Sequence, residues 1–161
     1  MTFSDTRREY NFSSLNKQQL STDPFQQMLH WLNQAKQAEL KDATAMTLST
    51  ADKHAMPDAR IVLLKQFDHS GCYWFTDYSS HKGQQLFDNP QACLTFYWRE
   101  FDRQIKIQGM VEKTSVENAE TYFYSRPLDS QFSAAASHQS QPIDSRKTLE
   151  NKLQQLKNVN P

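Results

Sequence analysis

Apolar residues recur at helical spacing over Phe25, Met28, Leu29, Leu32, Ala35 and Leu40. Asp23-Pro24 opens the run with an N-cap residue and a proline at the first helical position, which predicts a helix over 24–40. Upstream, residues 1–22 read as a polar arm with scattered aromatics at Phe3, Tyr10 and Phe12, and residues 23–161 as the folded domain. The pattern then shifts to short apolar runs. Strands are predicted at Ala45–Ser49, Ala59–Phe67, Cys72–Thr76, Ala92–Trp98 and Gln104–Lys113. Turns fall at Ala51–His54, at Asp68-His69-Ser70-Gly71 and near Phe101-Asp102. A short helix over Ser80–Asn89 stops at Pro90. Thr114-Ser115-Val116-Glu117 reads as a capping box starting a helix that runs to Ser125, before Pro127. Residues 130–144, rich in Ser, Gln and Ala, predict a loop. Ser145 or Asp144 caps a last helix with Leu149, Leu153 and Leu156 on one face. There is no internal repeat and no domain linker. Strands so closely spaced, flanked by helices, point to a mainly β, α+β barrel.

Composition narrows the function classes. The 161 residues carry 18 Lys+Arg and 18 Asp+Glu. Zero net charge argues against a nucleic-acid coat and against anionic membrane binding. The longest aliphatic run is Ile61–Leu64, far short of a membrane span. The first eleven residues have no apolar core of a secretory signal, and two cysteines, Cys72 and Cys93, match no zinc or disulfide pattern. The expectation is a cytosolic, reducing location. With three glycines, at 71, 83 and 109, the chain has no phosphate-binding glycine loop of the Walker or dinucleotide type.

Three places gather cations at strand or helix ends. Arg60-Ile61-Val62-Leu63-Leu64-Lys65 brackets with two charges a run expected to be buried, and in a regular strand positions 60 and 65 face opposite sides. This is either an anion site or a strand with charged ends. Ser79-Ser80-His81-Lys82 puts hydroxyls and a cation at a helix start, which is either a phosphate seat or plain N-capping. Tyr122 and Arg126 are four apart and so share a helix face, and Ser130 lies just past the proline bend. Phenol, guanidinium and hydroxyl either converge on one phosphate or form a surface stack.

Taken in order, these segments resemble the pyridoxine (pyridoxamine) 5′-phosphate oxidase family. The likeness runs through Arg7-Arg8-Glu9-Tyr10, the Asp23-Pro24 helix, Arg60–Lys65, Phe75-Thr76, Ser80-His81-Lys82, Asn89-Pro90, Arg103-Gln104, Tyr122-Phe-Tyr-Ser-Arg-Pro-x-Asp-Ser130 and Gln139-Ser140. It implies a split antiparallel β-barrel, a homodimer and FMN at the subunit interface. Arg60, Lys65, Ser80, His81 and Lys82 would then hold the FMN phosphate and ribityl region. Ile61, Val62, Leu63, Leu64, Phe75 and Thr76 would line the flavin, Gln104 would contact it, and Gln139 and Ser140 would reach it from the second subunit. Lys65, Tyr122, Arg126 and Ser130 would grip the substrate phosphate, with Arg7 and Tyr10 closing over the site. The implied reaction is oxidation of pyridoxamine or pyridoxine 5′-phosphate to pyridoxal 5′-phosphate, with O2 reduced to hydrogen peroxide. Two rivals share the fold: a non-catalytic FMN- or pyridoxal-phosphate-binding protein, and a split-barrel flavin reductase with another substrate.

Two departures from the family pattern carry expectations of their own. His81 stands where the family usually has Arg, which predicts weaker and more pH-dependent FMN binding. The family also continues past the last helix with a Trp-Gly-Gly segment, further strands and an Arg-x-His motif. Residues 1–161 stop before these, so the expectation is a short form lacking C-terminal strands, with weakened FMN binding and more strongly weakened catalysis.

Overall fold

The computed structural model describes residues 2, 4–5, 7–12 and 14–159; Phe3 of the arm lies outside them. The chain forms two compact units. The first comprises Met1–Ser49, Ala59–Trp74 and Cys93–Gln108, and the second Thr50–Asp58, Phe75–Ala92 and Gly109–Pro161.

Helix α1 (Pro24–Gln37) starts where Asp23-Pro24 predicts, with Asp23 Oδ1 accepting from the Phe25 amide at 2.9 Å. Its buried face is Met28, Leu32 and Ala35. The helix stops short of Leu40 because Glu39 takes a positive φ of 51°, and the Leu40 amide returns to the Ala35 carbonyl at 3.1 Å.

Strands β1 (Ala45–Ala51), β2 (Pro57–Leu63), β5 (Gln91–Trp98) and β6 (Arg103–Met110) form one antiparallel sheet in the order β2-β1-β5-β6. Strands β3 (Gln66–Asp68) and β4 (Gly71–Tyr73) form a separate hairpin, pairing Gln66 with Tyr73 and Asp68 with Gly71. Gly71 turns it with a φ of 142°.

The single strand expected over Ala59–Phe67 is therefore two. The Leu64 amide bonds to the Thr44 carbonyl at 2.9 Å, and the next amide, of Lys65, bonds to the Tyr73 carbonyl at 2.8 Å. The backbone changes partner there, so the parity argument separating Arg60 from Lys65 does not hold. Nor is the whole apolar run buried. Leu64 is 7% exposed, whereas Ile61 is 66% and Leu63 41% exposed, because β2 ends the sheet order and the face carrying these two is uncovered in the single chain.

The first unit holds the apolar core: Met28 and Leu32 of α1, Met46 and Leu48 of β1, Leu94, Phe96 and Trp98 of β5. Phe96 has no exposed surface and lies 5.6 Å from the Trp98 ring, whose indole N–H donates to the Ala43 carbonyl at 2.9 Å. Phe96→Ala should therefore cost about 3–5 kcal/mol in a denaturant titration, and Phe96→Leu less than about 2 kcal/mol, since it leaves a smaller void.

The second unit carries α2 (His81–Asp88), α3 (Val116–Ser125), α4 (Leu128–Ala136) and α5 (Arg146–Val159). The cap of α3 is Ser115, which accepts from the Asn118 amide at 3.1 Å, while Thr114 instead accepts from the Asn118 side chain. Residues 128–136, most of them in the expected loop, are helical. Leu, Gln and Ala there are good helix formers, and the serines that suggested a loop turn their hydroxyls back onto the helix: Ser133 donates to the Asp129 carbonyl at 2.6 Å, and Ser137 to that of Ser133 at 2.9 Å. Helix α5 is capped by Ser145 and packs on α4, with Lys157 paired to Asp129 at 2.5 Å. No helix among the described residues is long and apolar enough to cross a membrane.

Candidate functional site

In contrast to the first unit, the buried side chains of the second are, among the described residues, mostly polar: Thr50, Ser80, Lys82 and Gln85, with Ala136. Thr50 donates to Gln85 Oε1 at 2.6 Å. The start of α2 explains the other two. Ser80, with no exposed surface, caps the helix by accepting from the Gly83 amide at 3.3 Å and donates to the Asp77 carbonyl at 2.6 Å. The turn 77–80 is thereby folded onto the first helical turn. The fit is close enough that a Cβ on Gly83 would collide with the Tyr78 carbonyl.

Lys82 follows directly and is 7% exposed. Its Nζ donates to Gln139 Oε1 at 2.5 Å and to Thr76 Oγ1 at 3.2 Å, and Thr76 Oγ1 itself donates to Gln139 Oε1 at 3.0 Å. Gln139 is held from behind by Asp77, whose Oδ2 accepts its amide at 3.2 Å. The other oxygen of Asp77 accepts from the hydroxyl and the amide of Ser79, both at 2.7 Å. These bonds, the Ser79 hydroxyl foremost, hold the Asp77 carboxyl below its ordinary pKa of 3.8. A lowered folded pKa means the stabilisation is present above the unfolded value and is lost as pH falls through the folded one. Asp77→Asn should therefore lose less thermal stability than the wild type between about pH 5 and about pH 2. A melting series across that range reads the difference.

His81 is exposed and its Nδ1 lies 3.1 Å from Asp58 Oδ2. Phe75 and Tyr122 stack face to face, with centroids 3.8 Å apart and planes 7° apart. The residue expected on a helix face with Tyr122 is placed differently. Arg126 is the C-cap of α3 with extended backbone (φ −76°, ψ 152°), because Pro127 disfavours helical conformation before it. Its guanidinium donates to the Ser130 carbonyl at 2.9 Å, so Arg126 and Ser130 meet across the bend into α4. Ser140 is exposed, with a φ of 66°. The second unit thus brings Thr76, Lys82 and Gln139 together, Phe75 onto Tyr122, and Arg126 onto Ser130. Asp58 and Asp77 were missed by sequence reasoning. For Asp77 a signal existed, since Asp-x-Ser is a turn-forming pattern.

The remaining predicted residues lie in the first unit. Arg60 Nη1 donates to the Leu48 carbonyl at 3.2 Å. Lys65 is exposed just before β3, Val62 is half-buried, and Gln104 is exposed on β6. Arg7 and Tyr10 are exposed on the arm. Burial pushes the Cys72 thiol up to about 11, so it remains protonated at neutral pH and is no nucleophile. Among the described residues no group of three His, Cys, Asp or Glu side chains could hold a metal ion.

A buried ammonium, adjacent hydroxyls and a helix start form a donor set suited to an anion, phosphate above all. Against this geometry the comparisons with known proteins are specific. A family model described as pyridoxamine 5′-phosphate oxidase matches residues 32–160. The pyridoxine/pyridoxamine 5′-phosphate oxidase 1 of Hydrogenovibrio crunogenus is 49% identical over 149 residues, covering 92% of this chain and 69% of that protein. The corresponding oxidase of Trichormus variabilis is 44% identical over 155 residues, covering 96% and 72%. Among solved structures, PhzG from Burkholderia lata in complex with tetrahydrophenazine-1-carboxylic acid superposes with a TM-score of 0.86 at 24% identity, covering 92% of this chain and 74% of that one. A pyridoxamine 5′-phosphate oxidase-related, FMN-binding protein from Nostoc punctiforme gives a TM-score of 0.64 at 17% identity, covering 81% and 73%. These two show the fold, a split barrel of the kind expected. On sequence, the chain belongs to the pyridoxamine 5′-phosphate oxidase family.

Proposed function

We propose that this chain is an FMN-dependent oxidase of vitamin B6 phosphates, converting pyridoxamine or pyridoxine 5′-phosphate to pyridoxal 5′-phosphate with O2 as electron acceptor. The observation that carries this reading is the buried Lys82 with its Thr76 and Gln139 partners at the start of α2. A cation kept out of water interacts with a phosphate more strongly than one on the surface. The flavin named in the relative from Nostoc punctiforme carries such a phosphate, and the donor set fits it. Held by Lys82 and Thr76, FMN would supply the redox chemistry, a hydride acceptor for the substrate and a donor of electrons to O2.

The protein's own part is positioning. Lys82 and Thr76 hold the cofactor phosphate, with Ser80 fixing the turn behind them and His81 adding an imidazole. For the phosphate to reach Lys82, the Gln139 carboxamide shares or yields its place on the ammonium. Phe75, stacked on Tyr122, presents an aromatic wall that couples a cofactor-lining residue to a substrate-binding one. Tyr122, Arg126 and Ser130 take the substrate phosphate; the guanidinium, anchored on the Ser130 carbonyl, is pre-oriented for it. Arg60 to Lys65, Gln104, Ser140, Arg7 and Tyr10 join the set on the family likeness, as does assembly into a homodimer.

The test is direct. The purified chain should be yellow, and it should release peroxide under air with pyridoxamine 5′-phosphate but not with unphosphorylated pyridoxamine. Yellow protein without turnover would instead make it a binding protein. A colourless protein that takes up neither FMN nor the vitamer phosphate would overturn the reading.

A further inference from the structure

The first unit contains a cluster that the proposed function does not use. Residues 7–12 have no regular secondary structure, yet they are fastened to the turn between β5 and β6. The fastening point is Asp102, held in the left-handed region (φ 48°, ψ 34°) with a side chain only 12% exposed. Both its oxygens are taken by the arm. Oδ1 accepts from Arg8 Nη2, and Oδ2 accepts from the Asn11 and Phe12 amides at 3.1 and 3.2 Å. Arg8 also donates to the Arg99 carbonyl at 2.6 Å and the Tyr97 hydroxyl at 3.1 Å. Phe12 then packs on Phe101, with centroids 4.7 Å apart, under the Arg103 guanidinium at 5.4 Å. Arg103 is itself fixed by Gln34 at 2.5 Å and by the Trp31 face at 4.8 Å.

The consequence lies in the spacing. The arm is pinned at residue 8 and again at 11 and 12, and only Glu9 and Tyr10 lie between. Their backbone has little freedom, and Arg7 sits one residue before the first pin. Tyr10 is 74% exposed although the chain on both sides of it is anchored, with the Arg8 guanidinium 5.7 Å from its ring. Such an arrangement presents a side chain outward at low entropic cost.

We infer that Asp102 is a positioning residue, a latch that sets the arm so that Arg7 and Tyr10 are presented to substrate without Asp102 touching it. The inference rests on the proposed function for the roles of Arg7 and Tyr10; the latch itself does not. Asp102→Asn suits the test because asparagine tolerates the left-handed backbone, so the turn keeps its shape while the charge is lost. Arg8→Ala approaches from the other side and leaves the turn intact. Chymotrypsin, cutting after Tyr10 and Phe12, reads the arm in the FMN-loaded protein.

Both variants should be cut at these sites about tenfold faster than the wild type, the scale of one charge-assisted hydrogen bond lost. KM for pyridoxamine 5′-phosphate should rise by about tenfold while kcat changes little and FMN is retained. The double variant should fall short of the sum of the two single effects, since the Arg8–Asp102 link is common to both. An arm as resistant in Asp102→Asn as in the wild type would overturn the latch. An arm that is cut faster while KM stays unchanged would overturn the positioning role. If the wild type shows no oxidase activity, the proposed function fails, and the cleavage comparison still decides the latch.

Discussion

Lys82→Met is expected to weaken FMN binding while leaving the protein folded. Methionine matches the buried stem of lysine and removes only the ammonium that donates to Gln139 and Thr76. Gln139 and Thr76 remain bonded to each other at 3.0 Å when the ammonium is removed. Methionine keeps the buried stem packed and removes the desolvation cost of the ammonium, so the melting temperature should change little. A hydrogen bond to a charged partner contributes about 1.5–3 kcal/mol, so FMN affinity should fall by about 10- to 100-fold. Riboflavin lacks the phosphate, and its weaker affinity should be the same in both proteins. Fluorescence titrations with the two flavins make the comparison. Equal losses for both would mean that Lys82 supports the fold of the site and not the phosphate.

Arg126→Ala should do the opposite. Its guanidinium bonds the Ser130 carbonyl across the α3–α4 bend, so removing it costs the fold about 1 kcal/mol. The larger effect falls on the substrate, whose phosphate loses its guanidinium: KM for pyridoxamine 5′-phosphate should rise by about 10- to 100-fold, with FMN retention nearly intact. Steady-state kinetics together with flavin content after gel filtration separates the two. Parallel loss of flavin and substrate affinity would show that the two phosphate sites are not distinct.

Elements set by local chemistry were legible in the sequence. Asp23-Pro24 and the Met28, Leu32, Ala35 stripe place α1, and Ser80 and Pro90 bound α2. Asp68 to Gly71 makes the hairpin turn between β3 and β4. What failed depends on distant partners. Nothing local tells Leu64 and Lys65 to take different strands as partners, so Ala59–Phe67 reads as one run. Ile61 and Leu63 look like core, but burial of an end strand's face depends on what covers it. In 128–136 the serines mask a helix because their hydroxyls bond within it.

The site divides in the same way. Ser80 and Lys82 adjoin in sequence, so their place at a helix start could be read directly. That Gln139 would lie on Lys82, 57 residues away, rests on Asp77 holding its amide, and no spacing rule reports this. The family likeness singled out Gln139 as a residue reaching the flavin from the second subunit; within its own chain it bonds to Lys82 and Thr76. Arg126 and Tyr122 showed helical spacing, but Pro127 ends the helix one residue too soon.

A crystal structure of the chain with FMN and pyridoxal 5′-phosphate both bound tests the two-phosphate reading most directly. The account predicts Lys82 Nζ hydrogen-bonded to the flavin phosphate and the Arg126 guanidinium on the phosphate of the vitamer. Lys82 still on Gln139 with Arg126 turned to solvent, and both ligands held elsewhere, would contradict it.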